Sequence, residues 1–342
     1  MKKESLLHDL WIKRVAKGLP SNIGSKAWLI IDSTIKGKRG KKLHNLQKFR
    51  TPQGYTIGHC FVAALLICED GSQHVVAVKP YLTKKFCKRT HRDFKTQNQI
   101  AVEILQELAL PLETHVMVVA DSAFLADFVV DEIHRHPNWS FVSSLDSNRK
   151  ITVKRYTSHA IDFGRRHLPD LKSMSILWNG RKTLLRVMST TASVSKVGKA
   201  TVVVSRRGCQ TLLLTSVGKR LSCKEICYAY LLRWRIEILF KELKQYLHFG
   251  SYHFKEFDAY VNHVLMPVCT GRIALAYNAL KSLYPNRTIA EAKKMVTQSS
   301  QTVFLHEIRH DLTKFTGNTI AKNKISQAIS ATNFSIPLRL AV

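Results

Sequence analysis

Two apolar runs, LII at residues 29–31 and VMVVA at residues 116–120, are each followed at once by an aspartate. Continuous apolar runs of this length suit strands buried on both faces. AWLIIDSTI over 27–35 therefore predicts a strand ending in Asp32, and HVMVVADSAF a second one ending in Asp121. Between them, Tyr55 to Cys68 and Gln73 to Tyr81 read as strands separated by the turn signal Glu69, Asp70, Gly71. Apolar residues at Ile100, Ile104, Leu105 and Leu108 predict a helix from Asp93 to Leu110, stopped by Pro111. A helix from Phe124 to His136 and a strand from Trp139 follow. The order β, β, β, α, β, α, β is an α/β pattern, in which loops at strand ends build the site.

From Asp146 to Gly208 the helical period disappears. Asn179-Gly180 and Arg207-Gly208 sit between apolar strands and predict two hairpins. An all-β insertion over 146–216 is expected, and its 14 Lys or Arg against 3 acids in 146–208 turn it toward a polyanion. The helical period returns after Ser222 and Glu225, which form an S-x-x-E capping box ahead of a run free of Gly and Pro. A long helix near Phe257 to Leu283, closed by Pro285, comes next. The expected organisation is a short helical segment at 1–26, a catalytic core split into 27–145 and 217–285 around the insertion, and a basic helical region at 286–342.

Charge narrows the partner. The formal charge is +29, from 53 Lys and Arg against 24 Asp and Glu, far beyond what solubility requires. Seven of these cations lie between Lys36 and Arg50 and read as a basic loop. Nucleic acid is the first candidate; a membrane surface fits less well, because the cations are spread through the chain. No apolar run reaches the length of a membrane span, and the first twenty residues lack the pattern of a secretory signal. Seven cysteines without a C-x-x-C pair fit a reducing cytosol.

The candidate chemistry lies in YAYLLRWRIEILFKELKQYL. On a helix turning about 100° per residue, Tyr230, Arg233, Glu237 and Lys244 share one face within about 60°. A solvated face with weak ion pairs makes the same spacing. Glu225 and Glu242, the other acids of this helix, fall off that face. Asp32, Asp121 and Glu237 are each placed by a regular element, and three such carboxylates can hold two Mg²⁺ ions about 4 Å apart for in-line displacement at phosphorus. An aspartate ending a strand can also simply cap the next turn. No Gly-rich phosphate loop is present, which argues against nucleotide hydrolysis.

These motifs together resemble the DDE transposases of bacterial insertion sequences, within them the family with a Y-x2-R-x3-E-x6-K signature (IS-four type). Tyr230, Arg233, Glu237 and Lys244 match every spacing, and IIDST and VVADSAF resemble the two aspartate motifs. The resemblance spans roughly residues 25–285. It implies a ribonuclease-H-like mixed sheet flanked by helices, with the β insertion between the second aspartate and the glutamate. It also implies DNA cleavage at inverted-repeat ends and strand transfer into target DNA, in the bacterial cytosol at the nucleoid, by a homodimer on paired ends. Asp32, Asp121 and Glu237 would be the catalytic metal ligands for Mg²⁺, with Mn²⁺ substituting. Tyr230, Arg233, Lys244 and Lys241 would hold DNA, and Trp178, before the first hairpin turn, would stack beside a flipped base. Family members carry a longer region ahead of the first aspartate than the 31 residues found here. That short region and the charge motivate one alternative, a truncated DNA-binding regulator; a general nuclease on the same fold is another.

Overall fold

The computed structural model describes residues 23–40, 43–51, 54–178, 180–247 and 249, together with 277–278, 280–281, 283–284 and 286–299. The chain divides into two compact units, 1–279 and 280–342. In the second, residues 289–299 are helical, opened by Thr288, whose Oγ1 accepts the Glu291 N–H at 3.2 Å. The expected N-terminal helix, most of the helix near Phe257 to Leu283 and the chain beyond 299 lie outside the described residues.

The first unit is built on one mixed sheet. Its strands are β1 (Lys26–Gly37), β2 (Gln47–Thr51), β3 (Gly54–Cys68), β4 (Gln73–Pro80), β5 (His115–Ala120), β6 (Trp139–Ser144), β7 (Lys150–Val153), β8 (Tyr156–His159), β9 (Lys172–Trp178), β10 (Arg181–Val194), β11 (Gly198–Arg207) and β12 (Gln210–Gly218). The order is β2-β3-β1-β5-β6-β12-β11-β10-β7-β8, with β4 also on β3 and β9 also on β10. β1, β3 and β4 run antiparallel, whereas β1, β5 and β6 are parallel, which requires crossovers. Helices α1 (Lys84–Thr90) and α2 (Gln97–Glu107) precede β5, and α3 (Asp127–His134) precedes β6. α5 (Cys223–Leu232) and α6 (Trp234–Tyr246) follow β12. This is the mixed sheet flanked by helices expected of a ribonuclease-H-like core.

Side-chain alternation assigns the faces. Odd-numbered Ala27, Leu29 and Ile31 of β1, with Val116, Val118 and Ala120 of β5, share a core with Ile100, Ile104 and Leu105 of α2 and Val129, Val130 and Ile133 of α3. Each fully buried aliphatic side chain there contributes about 2 kcal/mol. The opposite face of β1 carries Lys26, Trp28, Ile30 and Asp32. Lys26 Nζ reaches Glu225 of α5 at 3.2 Å, and Trp28 meets Tyr228 edge-on at 5.7 Å. That face therefore lies under α5 and α6.

Several boundaries differ from expectation for local reasons. β1 runs five residues past Asp32 because β3 continues to pair with it as far as Gly37↔Gly58. Part of the expected basic loop is strand β2, paired with the overhanging end of β3. α2 starts at Gln97 rather than Asp93, since Thr96 and Gln99 form a reciprocal capping box. α1, with Thr83 as its N-cap, escapes the periodicity reading because KKFCKRT is short and charge-dominated. The β-rich insertion contains one short helix, α4 (Ala160–Arg166). Its last strand, β12, pairs with β6, so the insertion continues the core sheet. The first hairpin pairs Trp178 with Arg181, and Asn179 of its turn signal lies outside the described residues; the second is shifted by one residue, with Arg207 paired to Gln210 around Gly208 and Cys209. The six described cysteines are free thiols, and no described helix is long and apolar enough to cross a membrane.

Candidate active site

Asp32 stands two residues beyond Ile30↔Val119, the last pair between β1 and β5, and Asp121 directly follows the end of β5. By alternation both belong to the face under α5 and α6. Each aspartate uses one oxygen locally. Asp32 Oδ1 accepts the Ser33 N–H at 2.7 Å, and Asp121 Oδ1 accepts the Ala123 N–H at 3.0 Å. Asp121 thus caps the 3-10 turn Ser122–Phe124, the structural role that its sequence position left open. Asp32 keeps Oδ2 for a more distant partner.

That partner comes from the signature helix. Ser222 and Glu225 form the expected capping box, with Oγ of Ser222 accepting the Glu225 N–H at 3.2 Å and Glu225 Oε2 accepting the Ser222 N–H at 2.9 Å. The helix then breaks where the sequence predicts continuity. The N–H of Arg233 donates to the Tyr230 carbonyl and that of Ile236 to the Arg233 carbonyl, each at 3.1 Å and three residues back. Tyr230 therefore lies on α5, Arg233 at the junction, and Glu237 and Lys244 on α6. Arg233 keeps right-handed helical angles (φ −51°, ψ −34°), so its neighbours stay within reach.

The Arg233 guanidinium spans two of the three acids. Nη1 donates to Asp32 Oδ2 at 3.1 Å and Nη2 to Glu237 Oε1 at 2.6 Å. Tyr230 lies beside it, with the guanidinium carbon 5.7 Å from the ring centre. Burial and the Asp121 charge push the Asp32 carboxyl up to about 6; Glu237 adds to this, while the Ser33 amide and Arg233 oppose it. Asp32 thus senses both other acids.

The remaining predicted residues take distinct places. Lys244 Nζ donates to the Ile35 carbonyl of β1 at 2.9 Å, and burial together with nearby Lys36 lowers its pKa. Lys241 is exposed on α6. Trp178, at the end of β9, is half-buried, edge-on to Tyr228 at 6.1 Å and under the Arg235 guanidinium at 5.9 Å. The two rival acids have structural partners: Glu225 in its capping box and with Lys26, and buried Glu242 with Tyr277. Sequence reasoning allowed for the ion pair of Arg233 with Glu237 through their spacing by four, and missed the bond from Arg233 to Asp32 and the nearness of Lys36 to Lys244.

The donor set suits a hard divalent cation. It is anionic and offers oxygen only, and Arg233 already supplies positive charge between two of its members. Among the described residues, no three His, Cys, Asp or Glu side chains close around a common point as they stand.

The raised Asp32 pKa has a measurable consequence. A carboxyl raised from 3.8 to about 6 favours the fold fully below pH 3.8 and loses that advantage as the pH rises through 6. Asp32→Asn, measured by thermal unfolding in chelator at pH 8, is expected to stabilise the protein by up to about 3 kcal/mol. The gain should shrink as the pH falls from 6 toward 4. A parent more stable than the variant at pH 8 would contradict this reading of the charge.

A family model described as a transposase DDE domain matches residues 29–270. The chain belongs to that family, and the match takes in Asp32, Asp121 and the whole Tyr230 to Lys244 segment. None of the curated proteins matches the chain.

Proposed function

We propose that this transposase-family protein cuts DNA strands at the ends of its element and joins the freed 3′ end to target DNA, using Asp32, Asp121 and Glu237. The observation that carries the reading is the convergence of two strand-borne aspartates and a helix-borne glutamate on one face of the β1–β5 pair. Arg233 bonds to two of them, and the third acts electrostatically on Asp32. In this reading the three carboxylates would hold a pair of Mg²⁺ ions, with Mn²⁺ substituting. Such ions supply Lewis acidity for in-line displacement at phosphorus.

The chain's own side chains do the rest. Asp32, held by the Ser33 amide, presents one oxygen to the site. Arg233 and Tyr230 position the phosphate beside the acids, Lys244 keeps β1 in register with α6, and exposed Lys241 contacts the strand one turn further on. Trp178 offers a stacking face at the tip of the insertion hairpin. Paired ends call for two copies of the chain, and the spacing of Tyr230, Arg233, Glu237 and Lys244 supports placing it with the Y-R-E-K type of the family.

The test is strand cleavage on DNA carrying the element's inverted repeats, with Mg²⁺, Mn²⁺ or chelator. Cutting is expected only with the ions and only near the repeats. Salt-sensitive DNA binding without cutting under either ion would point to a regulatory DNA-binding derivative. Equal cutting of unrelated DNA would point to a general nuclease.

A further inference from the structure

We propose that the ribbon formed by β1, β2 and β3 beyond Asp32 is a track for the DNA backbone, with Lys36, Lys48 and Arg50 on phosphates and Tyr55 packed among them. The site it leads to is the one under Proposed function, but the track is a binding surface in its own right. Its sequence is one-signed: no acid occurs between Asp32 and Glu69, while seven Lys or Arg lie between 36 and 50. Such a segment repels itself and calls for a polyanion.

Register places these cations on the catalytic face. Asp32, Thr34 and Lys36 alternate along β1 and point to one side. Lys36 is opposite His59 on β3, and two and four residues along that strand Ile57 and Tyr55 face Lys48 and Arg50 of β2. Neither pairing shows a register shift, so all of them share Asp32's side. The 4.1 Å approach of Lys48 Nζ to the Tyr55 ring centre agrees. Tyr55 and Ile57 are exposed over 67% and 52% of their surface, beside the exposed Lys48 and Arg50. Among the described residues, no acid forms an ion pair with Lys36, Lys48 or Arg50.

The ribbon is tightly built. Gly37 pairs with Gly58, and a Cβ on Gly58 would come within 2.1 Å of the Lys36 carbonyl oxygen. Lys244 ties α6 to it at Ile35. From Asp32 to Lys36 the strand covers about 13 Å, the rise of about four base pairs. A duplex lying along the ribbon therefore meets Lys36 about four base pairs from the cut, and Lys48 and Arg50 further out.

The experiment is DNA binding of the full chain in chelator as a function of salt, so that no cleavage is involved. Lys48→Gln with Arg50→Gln is compared with Arg220→Gln plus Lys224→Gln, an equal charge loss at exposed positions around the start of α5, outside both the ribbon and the insertion. The ribbon double variant is expected to lower affinity about tenfold and to flatten the log K against log salt slope by about 2, with an unchanged melting temperature. Lys48→Arg with Arg50→Lys should keep both. If the ribbon variant behaves like the Arg220 and Lys224 control, the track is wrong while the catalytic reading stands. A flattened slope from a protein that cuts no DNA would keep the track and sink the catalytic reading.

Discussion

Glu237→Gln is expected to reduce strand cleavage by at least about 10³-fold while leaving DNA affinity within about threefold of the parent. The substitution keeps size and one acceptor oxygen, so the hydrogen bond from Arg233 Nη2 can survive. What it removes is one negative charge from the three carboxylates that the proposed function has holding divalent ions. Affinity for DNA rests instead on the cations, which are untouched. Loss of an acid even relieves some repulsion of phosphate. Asp32→Asn and Asp121→Asn should behave alike in cleavage, and combining any two should add little, because a metal site broken once is already broken. The measurement is cleavage of labelled end DNA in Mn²⁺ alongside binding in chelator. A Glu237→Gln protein cutting within tenfold of the parent would remove Glu237 from the chemistry, and Glu242 could not replace it, being buried against Tyr277.

Much of this site can be read from local sequence, and its failures have a common cause. The two aspartates are legible because each follows a continuous apolar run of the length that suits a strand buried on both faces. The start of α5 is legible because Ser222 and Glu225 carry their own capping chemistry. The break at Arg233 is not: LLRWR holds neither Gly nor Pro, so local propensity predicts one helix. Its side chain instead bonds to Asp32, 201 residues away, and no window on the sequence contains that contact. β2 is hidden similarly, since QKFRT becomes a strand only through the overhang of β3. Lys244 was legible as a cation on the right face but not as the donor to a β1 carbonyl. Residue type and period show which groups converge; which of them pair is decided by long-range packing.

Arg233→Ala is the second large effect, and it separates two roles of one side chain. Burial works against the Arg233 charge, but Tyr230, Asp32 and Glu237 more than offset it and hold its pKa above the usual value. Removing it leaves Asp32 without its guanidinium and still facing Asp121 and Glu237. In chelator at pH 8 the variant is expected to lose about 2 kcal/mol, less than a fully buried pair would because the groups are partly exposed. Mn²⁺ should then raise the melting temperature of Arg233→Ala more than that of the parent, since in the parent an entering cation must compete with the guanidinium for Asp32 and Glu237. Arg233→Lys should fall between, because a single ammonium cannot reproduce the forked contact to two carboxylates. Cleavage should nonetheless drop in both variants, as the phosphate loses a donor. Equal Mn²⁺-induced shifts in parent and Arg233→Ala would mean that Arg233 does not occupy the cation's place among the acids.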